Sequence, residues 1–404
     1  MNIMILTRFF PPSSGGIESY TSHLAKGLSK DNEVCVLTAG EGFDDIDDID
    51  DIDDIEIYRF KALARGEKSE EDCNLFVKKF KEILINKKID IVHSHNLLCL
   101  SEGESSLITN VLNKLNIPII DHCHDGRRAN MNPDNINKNF AKIIAVSDFV
   151  KSELLSVGYS EKIIEVVYNS VDYEFFDPQK FDKIEAREKF NLPQDKKIIL
   201  FPSRAIRSYT GKFGDQKNFM TLARSARYIK EKLGDNFLIV FPIVVGSEEN
   251  IYERKKTLDE FKLFLEEEDV VDNFFTIDRR INFEEMPFLY RASDIMCTPS
   301  ENEAFGLVFL EAMSMEIVPI GAKSGGAPEA IKEGKTGFLI NPKDYKKLSE
   351  IIIYLLSDDK RRIKMGKACR IDTVKNFSFK DMIKKIICIY DKTIESVRNG
   401  DGLC

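Results

Sequence analysis

Several features are scarce in this chain of 404 residues, and each absence excludes a class of protein. The eight cysteines are scattered and form no C-x-x-C pair, so we expect reduced thiols rather than a disulfide framework or a cysteine metal site. Acidic residues outnumber basic ones by 67 to 58, and the net charge of −9 argues against nucleic acid as the main partner. No apolar run approaches the roughly 18 residues that a membrane-spanning helix needs.

The N-terminus also lacks a basic segment followed by a long apolar run, which is the pattern of a signal peptide. An apolar run at residues 2–6 begins the chain directly and is typical of a first β-strand. We therefore expect a cytoplasmic protein, and 404 residues are enough for two domains with separate cores.

Short apolar runs alternate with amphipathic segments of helix length along most of the sequence. This pattern is typical of parallel βαβ units and predicts an α/β fold with two Rossmann-like, doubly wound parallel-sheet domains. We place the first domain at residues 1–170, a linker at 171–197 and the second domain at 198–377. A last helix is predicted at residues 378–397.

An acidic repeat of Asp-Asp-Ile units interrupts this order at residues 44–56. Its period of three fits neither a strand face nor a helix face, so most of it is predicted to be a solvated, mobile loop. Calcium is disfavoured there because the repeat lacks the glycine and the alternating oxygen ligands of a calcium loop.

Two carboxylates, Glu303 and Glu311, bracket a small turn and the start of an apolar helix. The preceding strand ends at Pro299, and the helix is predicted to begin near Phe305 or Gly306. Unpaired N–H groups at such a helix start attract phosphate. Because helical side chains lean toward the N-terminus, Glu311 can reach a ribose diol over that terminus, and Glu303 can accept hydrogen bonds from a sugar.

This segment resembles the E-x7-E signature of the retaining glycosyltransferases of family 4 (glycosyl transferases group 1). The resemblance implies the GT-B fold, in which two Rossmann-like domains face each other across a cleft. It also implies that the last helix, at residues 378–397, packs back on the first domain. The residues that it assigns to donor binding in this segment are Phe305, Gly306, Leu307, Val308 and Glu311, with Glu303 at the sugar.

Two basic residues of the second domain resemble the arginine and lysine with which this family grips the donor diphosphate. Arg204 ends the segment Phe-Pro-Ser-Arg after a predicted strand, and Lys217 precedes a predicted helix. The family usually has glycine where this chain has Ser203, and the loop between the two basic residues is longer than usual. Lys212 is therefore a rival to Lys217.

Two glycine-rich turns also match the family. Gly15 and Gly16 resemble its P-x-x-G-G-x-E loop, where the backbone approaches the donor phosphate. This loop is not G-x-G-x-x-G, so no dinucleotide cofactor is expected. The segment from Ser324 to Glu329 resembles the family's G-G-x-x-E turn, which supports the signature loop, although a plain strand-to-helix connection has the same pattern.

Four histidines form two pairs at the ends of predicted strands, His93 with His95 and His122 with His124. The second pair resembles the family's T-x-H-D segment, which makes His124 the residue at the reaction centre, with His95 secondary. An H-x-H pair can also chelate zinc, with a third histidine, Asp121 or Asp125 as a further ligand, so a zinc-dependent hydrolase stays as an alternative.

The resemblance implies transfer of a hexosyl group from a nucleoside diphosphate sugar to a hydroxyl acceptor, with His124, Glu303, Arg204 and Lys217 as the catalytic set. No metal or other cofactor is required, because cations and a helix terminus stabilise the leaving diphosphate. A sugar-nucleotide epimerase or a phosphorylase could use the same fold, and a non-catalytic partner subunit is a further hypothesis.

The acceptor is not readable from the sequence. Arg127 and Arg128, beside His124, suggest an anionic acceptor, although arginines at such positions are commonly solvated. Residues 73–88 place five lysines opposite an apolar face, a pattern that some members of the family use for peripheral membrane contact. The acidic total favours an ordinary surface helix at that position.

Overall fold

A computed structural model describes residues 1–11, 16–40, 49–63, 69–99, 102–129, 131–203, 216–242, 251–277, 279 and 281–399. The chain divides into two compact units. The first comprises Met1–Asn169 together with Lys380–Cys404, and the second comprises Ser170–Phe379. Each unit has a parallel sheet of its own, so the predicted α/β class with two doubly wound sheets is confirmed.

The sheet of the first unit has eight strands, in the order β3-β4-β2-β1-β5-β6-β7-β8. Only the pair of β3 and β4 is antiparallel within it. Because helices cover a parallel sheet, its strands are buried and read as apolar runs, as in the first strand, Asn-Ile-Met-Ile-Leu-Thr. The strands are β1 (Asn2–Thr7), β2 (Glu33–Ala39), β3 (Ile49–Ile52), β4 (Ile55–Phe60), β5 (Ile91–His95), β6 (Ile119–Cys123), β7 (Lys142–Ala145) and β8 (Ile164–Val166).

In the described part of the first unit, six α-helices accompany this sheet. Their starts follow local chemistry: Ser69 and Asp72, for example, form a reciprocal capping box that satisfies free N–H groups of the second helix. The helices are α1 (Gly16–Ser29), α2 (Glu70–Asn86), α3 (Glu102–Leu115), α4 (Pro133–Asn139), α5 (Asp148–Ser156) and, at the end of the chain, α14 (Phe379–Arg398).

The sheet of the second unit has six strands, all parallel, in the order β11-β10-β9-β12-β13-β14. The strands are β9 (Lys197–Leu200), β10 (Phe237–Pro242), β11 (Phe274–Ile277), β12 (Ile295–Thr298), β13 (Val318–Ala322) and β14 (Phe338–Ile340). The helices are α6 (Lys183–Lys189), α7 (Phe219–Leu233), α8 (Ile251–Glu267), α9 (Met286–Ala292), α10 (Leu307–Ser314), α11 (Ala327–Ala330), α12 (Tyr345–Leu356) and α13 (Asp359–Asn376).

The acidic repeat differs from its prediction as a loop. Its last part forms β3, which pairs antiparallel with β4 and places Ile52 opposite Ile55. Asp53 and Asp54 both have a positive φ and form the tight turn between the two strands. The acidic repeat therefore ends in a β-hairpin at the edge of the sheet, and residues 41–48 lie outside the described part of the chain.

Residues 171–197, predicted to be a linker, are folded into the second unit. Phe176 is 1% exposed, and its carbonyl accepts hydrogen bonds from the Ser314 hydroxyl at 2.7 Å and from Arg370 Nη1 at 3.0 Å. This segment also contains α6, whose N-terminus is capped by Asp182. The charged residues of this segment suggested a linker. In the structure, carboxylate and guanidinium groups of the segment instead form specific hydrogen bonds and ion pairs within the second unit.

The 18-residue helix α13 was not predicted at all. Its buried face consists of Arg362, Gly366, Cys369 and Thr373, so it has no apolar stripe from which a helix could be inferred. Gly366 packs so closely that an added Cβ would lie 2.1 Å from the carbonyl oxygen of Glu316. Among the described residues, no helix combines the length and apolar character needed to cross a membrane.

Candidate functional site

The corner between β12 and α10 contains the two carboxylates that the sequence singled out. Gly306, directly before α10, has a φ of 88°, in the left-handed region that favours glycine. An added Cβ there would lie 2.4 Å from a ring carbon of Phe309. The first turn of α10 leaves N–H groups without partners inside the helix, so this end of the corner favours an anion.

A second turn, at residues 324–326, packs directly against this corner. The N–H of Gly326 donates to the carbonyl of Glu303 at 2.7 Å, and the N–H of Asn302 donates to the Ser324 hydroxyl at 3.1 Å. Gly325 has a φ of 63°, and a Cβ on it would lie 2.2 Å from the carbonyl oxygen of Glu303. The backbone of Glu303 is therefore held in place by the glycine turn.

Lys217 approaches Glu303 from the start of α7. Its Nζ lies 2.5 Å from Glu303 Oε2, and the two side chains are 32% and 14% exposed. Lys217 and Asn218 both have a φ of 58°, so two successive left-handed residues turn the chain into the helix. The Asn218 amide donates to Glu301 at 3.2 Å, a second contact between the same two segments.

Glu311 lies on α10, half-buried, and accepts a hydrogen bond from the Tyr290 hydroxyl at 2.6 Å. Burial raises the pKa of Glu311 to about 7. Tyr290 comes from α9 and is itself fully buried. The sequence had not indicated Tyr290, because a tyrosine in a short amphipathic helix has no pattern that distinguishes it from a core residue.

The neighbouring residues of the signature differ in role. The Phe305 ring is fully buried and meets Phe377 edge to face at 5.7 Å, so its side chain belongs to the core. Leu307 and Val308 are half-buried in the first turn of α10. Their side chains are therefore partly exposed at the surface of that turn.

Four histidines of the first unit form a stack at the carboxyl ends of β5 and β6. His93 and His95 project from the same face of β5, and His95 pairs in register with His122. The ring centroids of His93 and His95 lie 4.7 Å apart, as do those of His122 and His124, and the planes within each pair differ by 18° and 10°.

Hydrogen bonds hold this stack at several points. His95 Nδ1 lies 3.0 Å from His124 Nε2, and the Tyr20 hydroxyl lies 3.4 Å from His122 Nε2. The backbone N–H of His124 donates to Asn96 Oδ1 at 2.7 Å. At the far end, His93 Nδ1 contacts the hydroxyl of Tyr390, which comes from α14.

Burial lowers the pKa of all four imidazoles. The pKa falls to about 3 for His93 and His124, with repulsion from His124 adding to the effect at His93. Burial, together with the neighbouring rings, also lowers the pKa values of His95 and His122 well below their ordinary value. The stack is therefore neutral at pH 7.

Three of these histidines come close together as potential metal ligands. Candidate ligand atoms of His93, His95 and His122 lie within 4.8 Å of one another. Zinc bonds to imidazole nitrogen at about 2.0–2.1 Å, so the lone pairs of its ligands must converge on one point. The rings of His93 and His122 are also parallel to within 5°, and parallel rings do not direct their lone pairs at one point.

The carboxylates proposed as further zinc ligands are partly occupied, since Asp121 Oδ2 has no hydrogen-bond partner among the described residues. Asp121 accepts hydrogen bonds from the Ser94 hydroxyl at 2.7 Å and from the N–H of Leu97 at 2.8 Å. Asp125 is paired with Arg127 at 2.9 Å. The parallel rings argue against zinc and the unpartnered His93 Nε2 and His95 Nε2 argue for it, so the zinc-dependent hydrolase stays an alternative.

The structure brings together some of the predicted residues. Lys217 contacts Glu303, and His95 contacts His124. His95 is 4% exposed, and its Nδ1 lies 3.0 Å from Nε2 of the half-buried His124. Gly16 is exposed at the start of α1, with open space where a Cβ would lie. The remaining predictions, for Gly15, Arg204, the rival Lys212 and the side chain of Arg128, fall outside the described residues.

Two family models match the chain. The model for glycosyl transferases group 1 matches residues 182–372, and the model for glycosyltransferase family 4 matches residues 14–175. The first match contains the whole corner with Lys217, Glu303 and Glu311, and the second contains the histidine stack. The chain therefore belongs to the group 1 glycosyltransferases, and the resemblance seen in the sequence is confirmed.

Several curated proteins are similar in sequence to this chain, each over a different share of its length. The D-inositol 3-phosphate glycosyltransferase of Corynebacterium efficiens is 35% identical over 130 residues, which cover 31% of this chain and 30% of that protein. The chain spans between 30% and 61% of the length of four such curated relatives.

Two solved structures share the fold almost from end to end. A glycosyltransferase from Rickettsia africae has a TM-score of 0.77 at 23% identity, covering 97% of this chain and 99% of that chain. HepE of Anabaena, solved in complex with UDP-glucose, has a TM-score of 0.71 at 16% identity, covering 98% of this chain and 99% of that chain. The fold of this chain is of the GT-B type.

Proposed function

We propose that this protein is a retaining glycosyltransferase that moves a hexosyl group from a nucleoside diphosphate sugar to a hydroxyl acceptor. The observation that carries the proposal is the corner of β12 and α10, where Lys217 and Glu303 meet beside a helix N-terminus. The complex of HepE with UDP-glucose supports a donor of this class.

The chemistry requires a site for a leaving group that becomes more negative. Breaking the anomeric C–O bond leaves positive charge on the sugar ring and negative charge on the diphosphate. The ammonium group of Lys217, Arg204 and the N-terminus of α10 would stabilise that leaving diphosphate. Cations of the chain and helix N–H groups can supply this stabilisation, so we propose that no metal ion is required.

Glu303 would accept hydrogen bonds from the sugar hydroxyls, and Glu311 would accept them from the ribose diol. Because burial raises the pKa of Glu311 to about 7, its carboxylate is only partly ionised near neutral pH. We expect donor affinity to fall below pH 7, as the protonated carboxyl loses one acceptor site.

His124 is our candidate for the residue that contacts the transferred sugar. Its pKa of about 3 keeps the imidazole neutral, so it can orient a hydroxyl without placing positive charge beside an oxocarbenium-like centre. We propose retention by a same-face displacement, in which the departing phosphate oxygen helps to take the acceptor proton. The catalytic set is then His124, Glu303, Arg204 and Lys217.

The acceptor is proposed only as a hydroxyl compound. Arg127, which had suggested an anionic acceptor, is paired with Asp125 at 2.9 Å and lies 3.8 Å from Glu153. The negative charges of these two neighbours offset the positive charge of the guanidinium, so Arg127 does not support a negatively charged acceptor.

A thermal-shift panel tests the proposal. The purified protein is heated with the diphosphates of uridine, guanosine and adenosine and with sugars attached to each. Ligands that bind the native state raise the melting temperature, so at least one nucleotide family should do so in a concentration-dependent way. If none of these ligands shifts it, the proposal is wrong.

The ligand that shifts the protein most is then incubated with it in the absence of an acceptor. Epimerised nucleotide sugar would identify an epimerase, and a sugar phosphate formed from added inorganic phosphate would identify a phosphorylase. The proposed transferase forms neither product.

A further inference from the structure

The ion pair between Lys217 and Glu303 joins two residues that the proposed function assigns to different parts of one ligand. Lys217 should bind the diphosphate, and Glu303 should bind the sugar. In the structure they bind each other, at 2.5 Å. A donor diphosphate must therefore compete with Glu303 for the ammonium group.

Glu303 has little freedom to withdraw from this competition. Its carbonyl is bonded to Gly326, and Gly325 packs against its backbone. Its side chain is only 14% exposed, so its carboxylate receives little help from water. If a diphosphate takes Lys217, Glu303 becomes a largely buried charge beside a second anion, which is unfavourable unless new donors reach it.

Sugar hydroxyls are such donors, because a neutral hydroxyl can hydrogen-bond to a carboxylate without adding charge. A nucleoside diphosphate alone has no group that extends beyond its terminal phosphate to replace the lysine. The two ligands therefore differ in whether they compensate Glu303 for the partner that it loses.

We propose that the Lys217–Glu303 ion pair is a specificity device that yields to a nucleoside diphosphate only when an attached sugar supplies hydroxyl donors to Glu303. After transfer, the sugar leaves, Glu303 returns to Lys217, and release of the nucleoside diphosphate product is favoured. This inference rests on the proposed function and adds a second role for Glu303, discrimination against the product.

The same turn offers a matched control. Glu301 lies two residues earlier, is 39% exposed, and contacts Lys343 at 3.3 Å and the Asn218 amide at 3.2 Å. Glu301→Gln removes one negative charge from the same turn as Glu303→Gln does. Only Glu303→Gln frees Lys217. A general effect of charge would therefore appear in both variants, whereas the proposed specificity device would be lost only in Glu303→Gln.

The test measures dissociation constants by calorimetry for the wild type, Glu303→Gln and Glu301→Gln. The ligands are the nucleoside diphosphate and the nucleotide sugar that give the largest thermal shifts. In Glu303→Gln we expect the bare diphosphate to bind about fivefold to tenfold more tightly and the nucleotide sugar about tenfold more weakly. Glu301→Gln should change the ratio of the two constants by less than about twofold.

If Glu303→Gln binds the diphosphate with unchanged or weaker affinity, the device does not exist. The same conclusion follows if Glu301→Gln shifts the ratio as much as Glu303→Gln does. Melting curves without ligand check that each variant is folded, and Glu303→Ala repeats the test with the same expected direction if the glutamine variant is not. If the wild type binds no nucleotide, the proposed function itself has failed, a result distinct from failure of the device.

Discussion

The candidate sites of the two units differ in charge: the first is built from neutral groups and the second contains charged ones. In the first unit, three buried imidazoles and the half-buried His124 form a neutral stack, and burial lowers the pKa of each. In the second unit, the corner contains an ion pair and a carboxyl whose pKa is raised to about 7. All five histidines lie in the first unit's sequence, and the second unit has none. This difference fits the proposal that one site positions neutral groups while the other binds a charged ligand.

Lowering the pH should change the free energies of unfolding of the two units in opposite directions, and this is the largest effect that we expect. His93 and His124 have native pKa values of about 3, against about 6.5 when unfolded, and burial lowers the pKa of His95 and His122 in the same direction, so the first unit loses stability as pH falls below 6.5. His93 and His124 should each lower the first unit's free energy of unfolding by up to about 2 kcal/mol between pH 7 and pH 5. Asp121, whose pKa is raised to about 6, works in the opposite direction and offsets part of the loss.

The second unit should respond with the opposite sign. Glu311 has a native pKa of about 7, above its unfolded value, so its protonation stabilises the fold as pH falls from 7 toward 4.5. The gain is up to about 2 kcal/mol. Hydrogen exchange at pH 7 and pH 5, corrected for intrinsic rates, measures each unit separately. His122→Phe should reduce the first unit's acid loss by one histidine's share; equal responses of both units would contradict this assignment.

A glycine comparison within the second unit tests how rigidly the corner is built. Gly325 and Gly334 have similar φ values, 63° and 69°, but only Gly325 has backbone atoms where a Cβ would lie. Gly334→Ala should therefore cost about 1 kcal/mol for backbone strain alone, and Gly325→Ala about 3 kcal/mol or more. Denaturant titration gives both values. Equal costs would mean that the turn at 324–326 does not press on Glu303.

Tyr290→Phe is the smaller test of the corner's polarity. It removes the hydroxyl that donates to Glu311 and leaves a half-buried carboxyl without that bond. We expect a loss of about 1–2 kcal/mol at pH 8 and a smaller loss at pH 5, where the carboxyl is protonated. Tyr228→Phe is the control, because its hydroxyl has no hydrogen bond among the described residues. A loss independent of pH would show that the bond to Glu311 does not depend on its charge.

The sequence was sufficient for the fold class and for most elements that carry the corner. Apolar runs such as those of β12 and β13 are read directly, because both faces of a parallel sheet are buried. Helix α13 was missed because its inward face is polar or small. The hairpin at the end of the acidic repeat was missed because isoleucines spaced by three have no strand period.

The site was predicted less completely than the fold. Glu303 lies in the turn before α10 and Glu311 on that helix, but the E-x7-E spacing could not show that Lys217 would pair with Glu303, since their contact spans 86 residues. The histidine strands were placed slightly too early: β5 extends to His95 and β6 to Cys123. His95 is consequently the last residue of β5, and its ring is part of the histidine stack. Tyr290 could be found only from the packing of α9 on α10.

The central claim is that the corner of β12 and α10 holds the diphosphate of a sugar nucleotide. Hydrogen exchange of the wild type with and without the nucleotide sugar that most raises the melting temperature tests it most directly. We predict that protection in the second unit concentrates at residues 300–311 and at the start of α7, around Lys217. Protection that is absent from both segments, while the ligand binds elsewhere in the unit, would contradict the account.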